Sequence, residues 1–275
     1  MRFFIALLMI LALPVHAQTT SQTPCGKDAA CEVDEGDYHL VFPPDWDGET
    51  PLPALVFYHG HNSSAASIFR SSGLRNSFVN NGYLLIAPNG AFIPGRKVRA
   101  WPARDLPPSQ RDDVAFTLRV MDDVEKRIPL DTDRIFAGGF SAGGSMVWRM
   151  ACLAGDRFNA FVSVSGALRR PNPTDCATGP IRFLQVHGFA DAQVPFEGRG
   201  IRDWHQGDLF ESFTRARALN SCRTNPDKIE IGETFRCRDW NESCDAGALK
   251  MCIHDGGHGL PRGWTDLAKD FFEAG

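Results

Sequence analysis

A serine hydroxyl attacks a carbonyl only when a base removes its proton and fixed donors hold the resulting oxyanion. In this chain of 275 residues, the segment 134–145 centres on Ser141 and contains Gly139-Phe140-Ser141-Ala142-Gly143, a G-x-S-x-G pattern. The apolar run Ile135 to Ala137 precedes it, and the amphipathic run Met146 to Cys152 follows. Strand, tight turn and helix in that order predict a serine held in a strained turn with its hydroxyl pushed outward. Gly139 and Gly143 lack the Cβ atoms that would collide there. The Ala142 backbone N–H, at the helix N-terminus, would face the oxyanion. A glycine-rich turn with a bystander serine is the plainer alternative, so the chemistry depends on finding partners.

For the base, Asp255-Gly256-Gly257-His258-Gly259 sets His258 in a flexible turn just past the last apolar strand. His254, inside that strand, reads as a packed or surface histidine. For the acid, Asp191 lies in the loop after the run ending at His187, while Asp203, Asp208 and Asp245 compete from more polar segments. A second oxyanion donor would be the His61 backbone N–H, following His59-Gly60; His61 as the base is a weaker idea. His187 reads as structural. Trp101, alone in the loop Gly90 to Pro108, could line a slot for an aromatic acyl group.

The elements that must position these groups alternate. Tyr38–Phe42, Pro53–Tyr58, Gly82–Pro88, Ile135–Phe140, Phe158–Ser165, Ile181–His187 and Leu249–His254 read as strands. Most are continuous apolar runs, which suit strands covered on both faces. Ser67–Asn80, Asp112–Arg127 and Asp208–Leu219 read as helices, and Trp264, Leu267, Ala268, Phe271 and Phe272 mark a closing one. This pattern predicts an α/β fold with a doubly wound, mostly parallel sheet and helices on both faces.

Residues 1–17, with Arg2 ahead of an apolar run and Val15-His16-Ala17 at a cleavage position, read as a secretory signal peptide, leaving residues 18–275 as one domain. No later stretch is apolar enough for a membrane span. The formal charge of −4 from 29 basic and 33 acidic residues becomes −5 without Arg2, which gives no reason to expect nucleic acid or anionic membrane as a partner. All eight cysteines lie after residue 17, and none forms C-x-x-C. Export then favours disulfides, and proximity suggests Cys25 with Cys31 and Cys152 with Cys176.

Together, His59-Gly60, Gly139-Phe-Ser-Ala-Gly-Gly144, His187-Gly-Phe-Ala-Asp191 with Val194-Pro195, and Gly256-Gly-His258-Gly resemble the polyhydroxybutyrate depolymerase and feruloyl esterase group of secreted α/β-hydrolases, in its short single-domain form. The resemblance implies an α/β-hydrolase fold and serine-dependent hydrolysis of a carboxylic ester, with Ser141, Asp191 and His258 as the triad and neither metal nor organic cofactor. It also implies pairing Cys222 with Cys244, which leaves Cys237 with Cys252. Gly259-Leu260-Pro261 follows His258 where many longer relatives carry Trp-Pro. The expected substrate is a hydroxyalkanoate oligomer or polymer. The alternatives are a feruloyl or acetylxylan ester of plant cell wall and, from another class, a non-catalytic secreted binding protein on a hydrolase scaffold. Extracellular and periplasmic locations, and the oligomeric state, stay open.

Overall fold

The structure, a computed structural model, describes residues 25, 29–107, 109–202 and 204–274. The expected signal peptide lies outside the described residues. Ten strands form one sheet: β1 (Cys31–Val33), β2 (Gly36–Val41), β3 (Leu52–Tyr58), β4 (Leu84–Pro88), β5 (Leu130–Phe140), β6 (Ala160–Val164), β7 (Arg182–Gly188), β8 (Lys228–Ile231), β9 (Arg236–Trp240) and β10 (Ala248–His254). Their spatial order is β1-β2-β4-β3-β5-β6-β7-β10-β9-β8. Pairing is parallel from β4 through to β10 and antiparallel at both margins.

Every residue of β3, β4 and β6 is buried, which explains their unbroken apolar sequences. One face is covered by α3 (Asp113–Arg127), α4 (Ala142–Leu153) and α5 (Leu209–Leu219), whose Val114, Met121, Trp148 and Phe213 join a single core. The other is covered by α1 (Ala65–Phe69), α2 (Ser72–Ser77) and α6 (Trp264–Glu273), through Ile68, Leu74, Trp264 and Phe272. The Phe136 ring stacks on Phe272 at 4.4 Å, so strand and closing helix share one contact surface.

The single helix expected over 67–80 is instead broken. The α1 helix ends at Phe69, and the Ser71 hydroxyl accepts from the Leu74 N–H to start α2. Serine favours such a cap because its side chain competes with the helical backbone. Asp112 and Asp208 play the same part for α3 and α5, so Asp208 is a capping carboxylate. Asp245 is exposed, and Asp203 lies outside the described residues.

All four expected disulfides are present: Cys25–Cys31, Cys152–Cys176, Cys222–Cys244 and Cys237–Cys252. Cys237 and Cys252 face each other across the β9–β10 ladder, strands of which β9 went unrecognised in the sequence. Polar alternation and short length hid β8 and β9. Among the described residues no helix is long and apolar enough to cross a membrane.

Candidate active site

The β5 strand runs into Ser141, whose φ of 58° and ψ of −117° lie in a region that non-glycine residues rarely enter. The turn is held from both sides: the Ser141 N–H donates to the Val164 carbonyl, and its carbonyl accepts from the Ser145 N–H. The flanking glycines are sterically required. A Cβ on Gly139 would fall 2.4 Å from the Gly143 carbonyl oxygen, and one on Gly143 would fall 2.0 Å from that of Tyr58. The motif is therefore a consequence of α4 being pressed against β3 and β5.

Asp191 and His258 come from loops after β7 and β10, which are adjacent parallel strands with Gly188 opposite His254. The two loops are zipped together, as Phe189 N–H donates to the His254 carbonyl and Ala190 N–H to that of Gly256. Gly188 permits this approach, since a Cβ there would lie 2.3 Å from the Gly257 carbonyl oxygen. Adjacency at the carboxyl ends of the strands thus brings residues 191 and 258 to the elbow.

The Ser141 Oγ lies 2.8 Å from His258 Nε2, and His258 Nδ1 lies 2.8 Å from Asp191 Oδ2. A carboxylate can only accept, so Nδ1 carries the proton and Nε2 accepts from the serine hydroxyl. The second Asp191 oxygen accepts from the N–H groups of Gln193 and Val194. Burial alone would raise the Asp191 pKa; the hydrogen bonds from His258, Val194 and Gln193 outweigh it and hold the carboxyl below its ordinary value. The carboxylate is therefore ionised at neutral pH.

Two other histidines support the site without entering this chain. His59 is fully buried; its Nδ1–H donates to the Gly60 carbonyl and its Nε2 accepts from the Gly90 N–H. Burial lowers its pKa to about 4, so it stays neutral and latches the loop carrying His61 to the start of the 90–108 loop. His187 donates from Nε2 to the Val194 carbonyl and accepts from Gln185 at Nδ1. It braces the Asp191 loop from beneath, a structural part of the kind expected of it. His254 is buried, with Nδ1 accepting from Gly256 N–H.

A cavity of about 820 Å³ opens beside Ser141, bordered by His61, Ala142, the 91–106 segment and the ribbon that pairs Arg199–Ile201 with Trp204–Gln206. Neither the His61 nor the Ala142 N–H makes a backbone hydrogen bond among the described residues, and both residues border the cavity with Ser141. Trp101 is among the residues that border this cavity, although its indole is wholly buried, edge-on to Tyr58 at 5.1 Å, and presents no exposed surface. The loop around it does face the cavity, through Phe92, Pro102 and Arg104. Sequence reasoning missed the His59 latch, although the His-Gly pair marked the place. It also missed Arg169, which follows β6 in an unremarkable Leu168-Arg169-Arg170-Pro171 stretch.

No family model matches the chain. Its sequence is 27% identical to "Probable feruloyl esterase C" of Aspergillus niger, over 97% of this chain and 95% of that protein. It is 26% identical to feruloyl esterase C of Emericella nidulans, over 94% and 90% respectively. Among solved structures, acetyl xylan esterase from Aspergillus awamori superposes with a TM-score of 0.66 at 16% identity, covering 86% of this chain and 94% of that one. The chain has the α/β-hydrolase fold. In an α/β-hydrolase the carboxyl ends of the strands form the working edge, and Ser141, Asp191 and His258 meet there.

Proposed function

We propose that the protein is a secreted serine esterase that cleaves carboxylic esters through an acyl-enzyme, with Ser141 as nucleophile, His258 as base and Asp191 as the acid that orients it. The observation carrying this reading is the unbroken hydrogen-bond chain from Ser141 Oγ through His258 to Asp191, anchored at a strained elbow. His258 Nε2 takes the hydroxyl proton as Ser141 Oγ bonds to the ester carbonyl carbon. The oxyanion is held by the N–H groups of Ala142 and His61. The same proton then goes to the departing alkoxide, and water repeats the sequence to release the acid and regenerate the serine.

Relatives named as feruloyl esterases favour the feruloyl-ester alternative over hydroxyalkanoate polyester as the substrate. Four disulfides suit an oxidising compartment and support export, with residues 1–17 removed and 18–275 forming the catalytic domain. The test compares initial rates on methyl ferulate, acetylated xylan and hydroxybutyrate oligomers, with Ser141→Ala as control. Turnover should fall by about 10⁴-fold or more in that variant. Undiminished ester hydrolysis, or failure of a fluorophosphonate to label Ser141 in the folded protein, defeats the reading.

A further inference from the structure

The cavity beside Ser141 has a charge pattern that ester cleavage by itself does not require. Arg96, Arg104, Arg111, Arg169, Arg199 and Arg202 all border it, and no aspartate or glutamate does among the described residues. Only Arg111 has an ion-pair partner among the described residues, the buried Asp113. The other five guanidinium groups border the same space with no carboxylate partner among the described residues.

Arg169 is the most informative of the five. It is about nine-tenths buried, with 7% of its surface exposed, and its Nε has no hydrogen-bond partner. Its Nη1 donates to the carbonyls of Trp101 and Pro102, at 2.7 and 2.8 Å, and its guanidinium lies 4.8 Å from the Trp204 ring centroid. Arg104 stands over the same ring at 5.7 Å. Carbonyl oxygens and an indole face steady a cation, but they do not repay the cost of withdrawing it from water as a carboxylate would. A guanidinium does not escape that cost by losing its proton at neutral pH. Burial, then the charge of Arg104, lowers the Arg169 pKa to about 10, still well above neutrality. The positive field also reaches the oxyanion loop: after burial, Arg169 and Arg96 are what hold the His61 imidazole below its ordinary pKa.

We propose that this cavity recognises esters that carry a carboxylate elsewhere in the molecule, seated on Arg169 and drawn in by the unpaired arginines of the rim. The proposal rests on Ser141 being the ester-cleaving nucleophile and names the substrate class of that site. An acidic oligosaccharide bearing an esterified hydroxyl would carry its carboxylate on the alcohol side; the half-ester of a dicarboxylic acid would carry it on the acyl side. In both, the guanidinium fork would meet a planar anion.

The test compares each acid with its uncharged primary amide. On the acyl side the pair is mono(4-nitrophenyl) adipate and its amide; on the alcohol side, 3-acetoxybenzoate and 3-acetoxybenzamide. In at least one pair the acid should have a kcat/KM about tenfold higher, mainly through KM, and the pair that shows it assigns the side. That preference should shrink when ionic strength rises from about 20 to about 500 mM, and should fall about fivefold or more in Arg169→Gln. A purely structural Arg169 would slow acid and amide alike, leaving their ratio unchanged. Should Arg169→Gln fold poorly, the Arg96→Gln/Arg104→Gln double variant at the rim reads the same ratio. No acid preference in either pair at low salt overturns the proposal, as does a preference that survives both variants. Calorimetric titration of the Ser141→Ala protein with both acids and both amides measures carboxylate recognition without turnover. Equal affinities within both pairs would overturn the role of the arginines even if ester hydrolysis by the native protein is robust, and tighter binding of the acid in either pair would uphold it even if hydrolysis is absent.

Discussion

The two walls that meet at Ser141 are built on different principles. The elbow wall, from β5 through Ser141 into α4 with the loops after β7 and β10, is held by backbone: glycines at 139, 143 and 188 allow main chains to touch, and hydrogen bonds zip the loops. The opposite wall, residues 91–106, Arg169 and the 199–206 ribbon, is assembled from long side chains out of three separate segments. Backbone packing leaves few alternatives, and under the proposed function it is this wall that would set the reaction. Side chains on loops can be exchanged without disturbing the sheet, which is the flexibility that a choice among esters would require.

The difference predicts how variants should divide. Asp191→Asn, at the elbow wall, leaves His258 without its anionic partner and frees it to adopt the wrong tautomer; kcat should fall about 10³- to 10⁴-fold on every ester, with KM little changed. A substrate-dependent loss would break the distinction between the walls. Gly143→Ala drives a methyl into the Tyr58 carbonyl, so α4 must shift and the Ala142 N–H with it. A displacement of that kind costs about 10²-fold in turnover, read as kcat on a simple acetate ester together with retained secondary structure by circular dichroism.

His59→Gln loosens the latch between the His61 loop and Gly90, and should lower kcat about tenfold on all esters. It also has a pH signature. His59 is pushed from 6.5 to about 4 in the folded chain, so the unfolded chain binds the extra proton between those values. Its contribution to stability is complete above pH 6.5 and is lost as pH falls toward 4, up to about 3 kcal/mol. Urea unfolding at a series of pH values should show a shallower acid-side decline in the variant than in the native protein. Trp204→Ala, on the opposite wall, removes the ring beneath two guanidinium groups. It should raise KM about three- to tenfold with a smaller change in kcat, and by different factors for different esters. Equal effects on all substrates would place Trp204 in the reaction machinery.

Much of the elbow wall was legible in the sequence. The G-x-S-x-G pattern encodes a steric demand between residues four apart, Gly139 and Gly143, and apolar strands encode their own burial, so both survive as local signals. Element boundaries failed where one side chain decided them, as when Ser71 capped α2 and divided the helix expected over 67–80. The antiparallel margin at β8 and β9 carried too few apolar residues to announce itself. The arginine wall was not legible at all, because each arginine reads singly as a solvated surface charge.

By itself the sequence determined the alternation of strand and helix, the elbow around Ser141, and the position of His258 just beyond the last long strand. It also held enough for the four disulfides, two from proximity and two through resemblance. Those features depend on near neighbours in the chain or on strand order. Only the tertiary structure decided that Asp191, and not Asp208 or Asp245, faces His258; that His59 and His187 are neutral braces; that Trp101 lies in the core; and that five arginines with no ion-pair partner among the described residues converge on one cavity. These depend on which loops the parallel sheet brings together, and a side chain's charge partner across such a junction has no fixed spacing in sequence for a pattern to reveal.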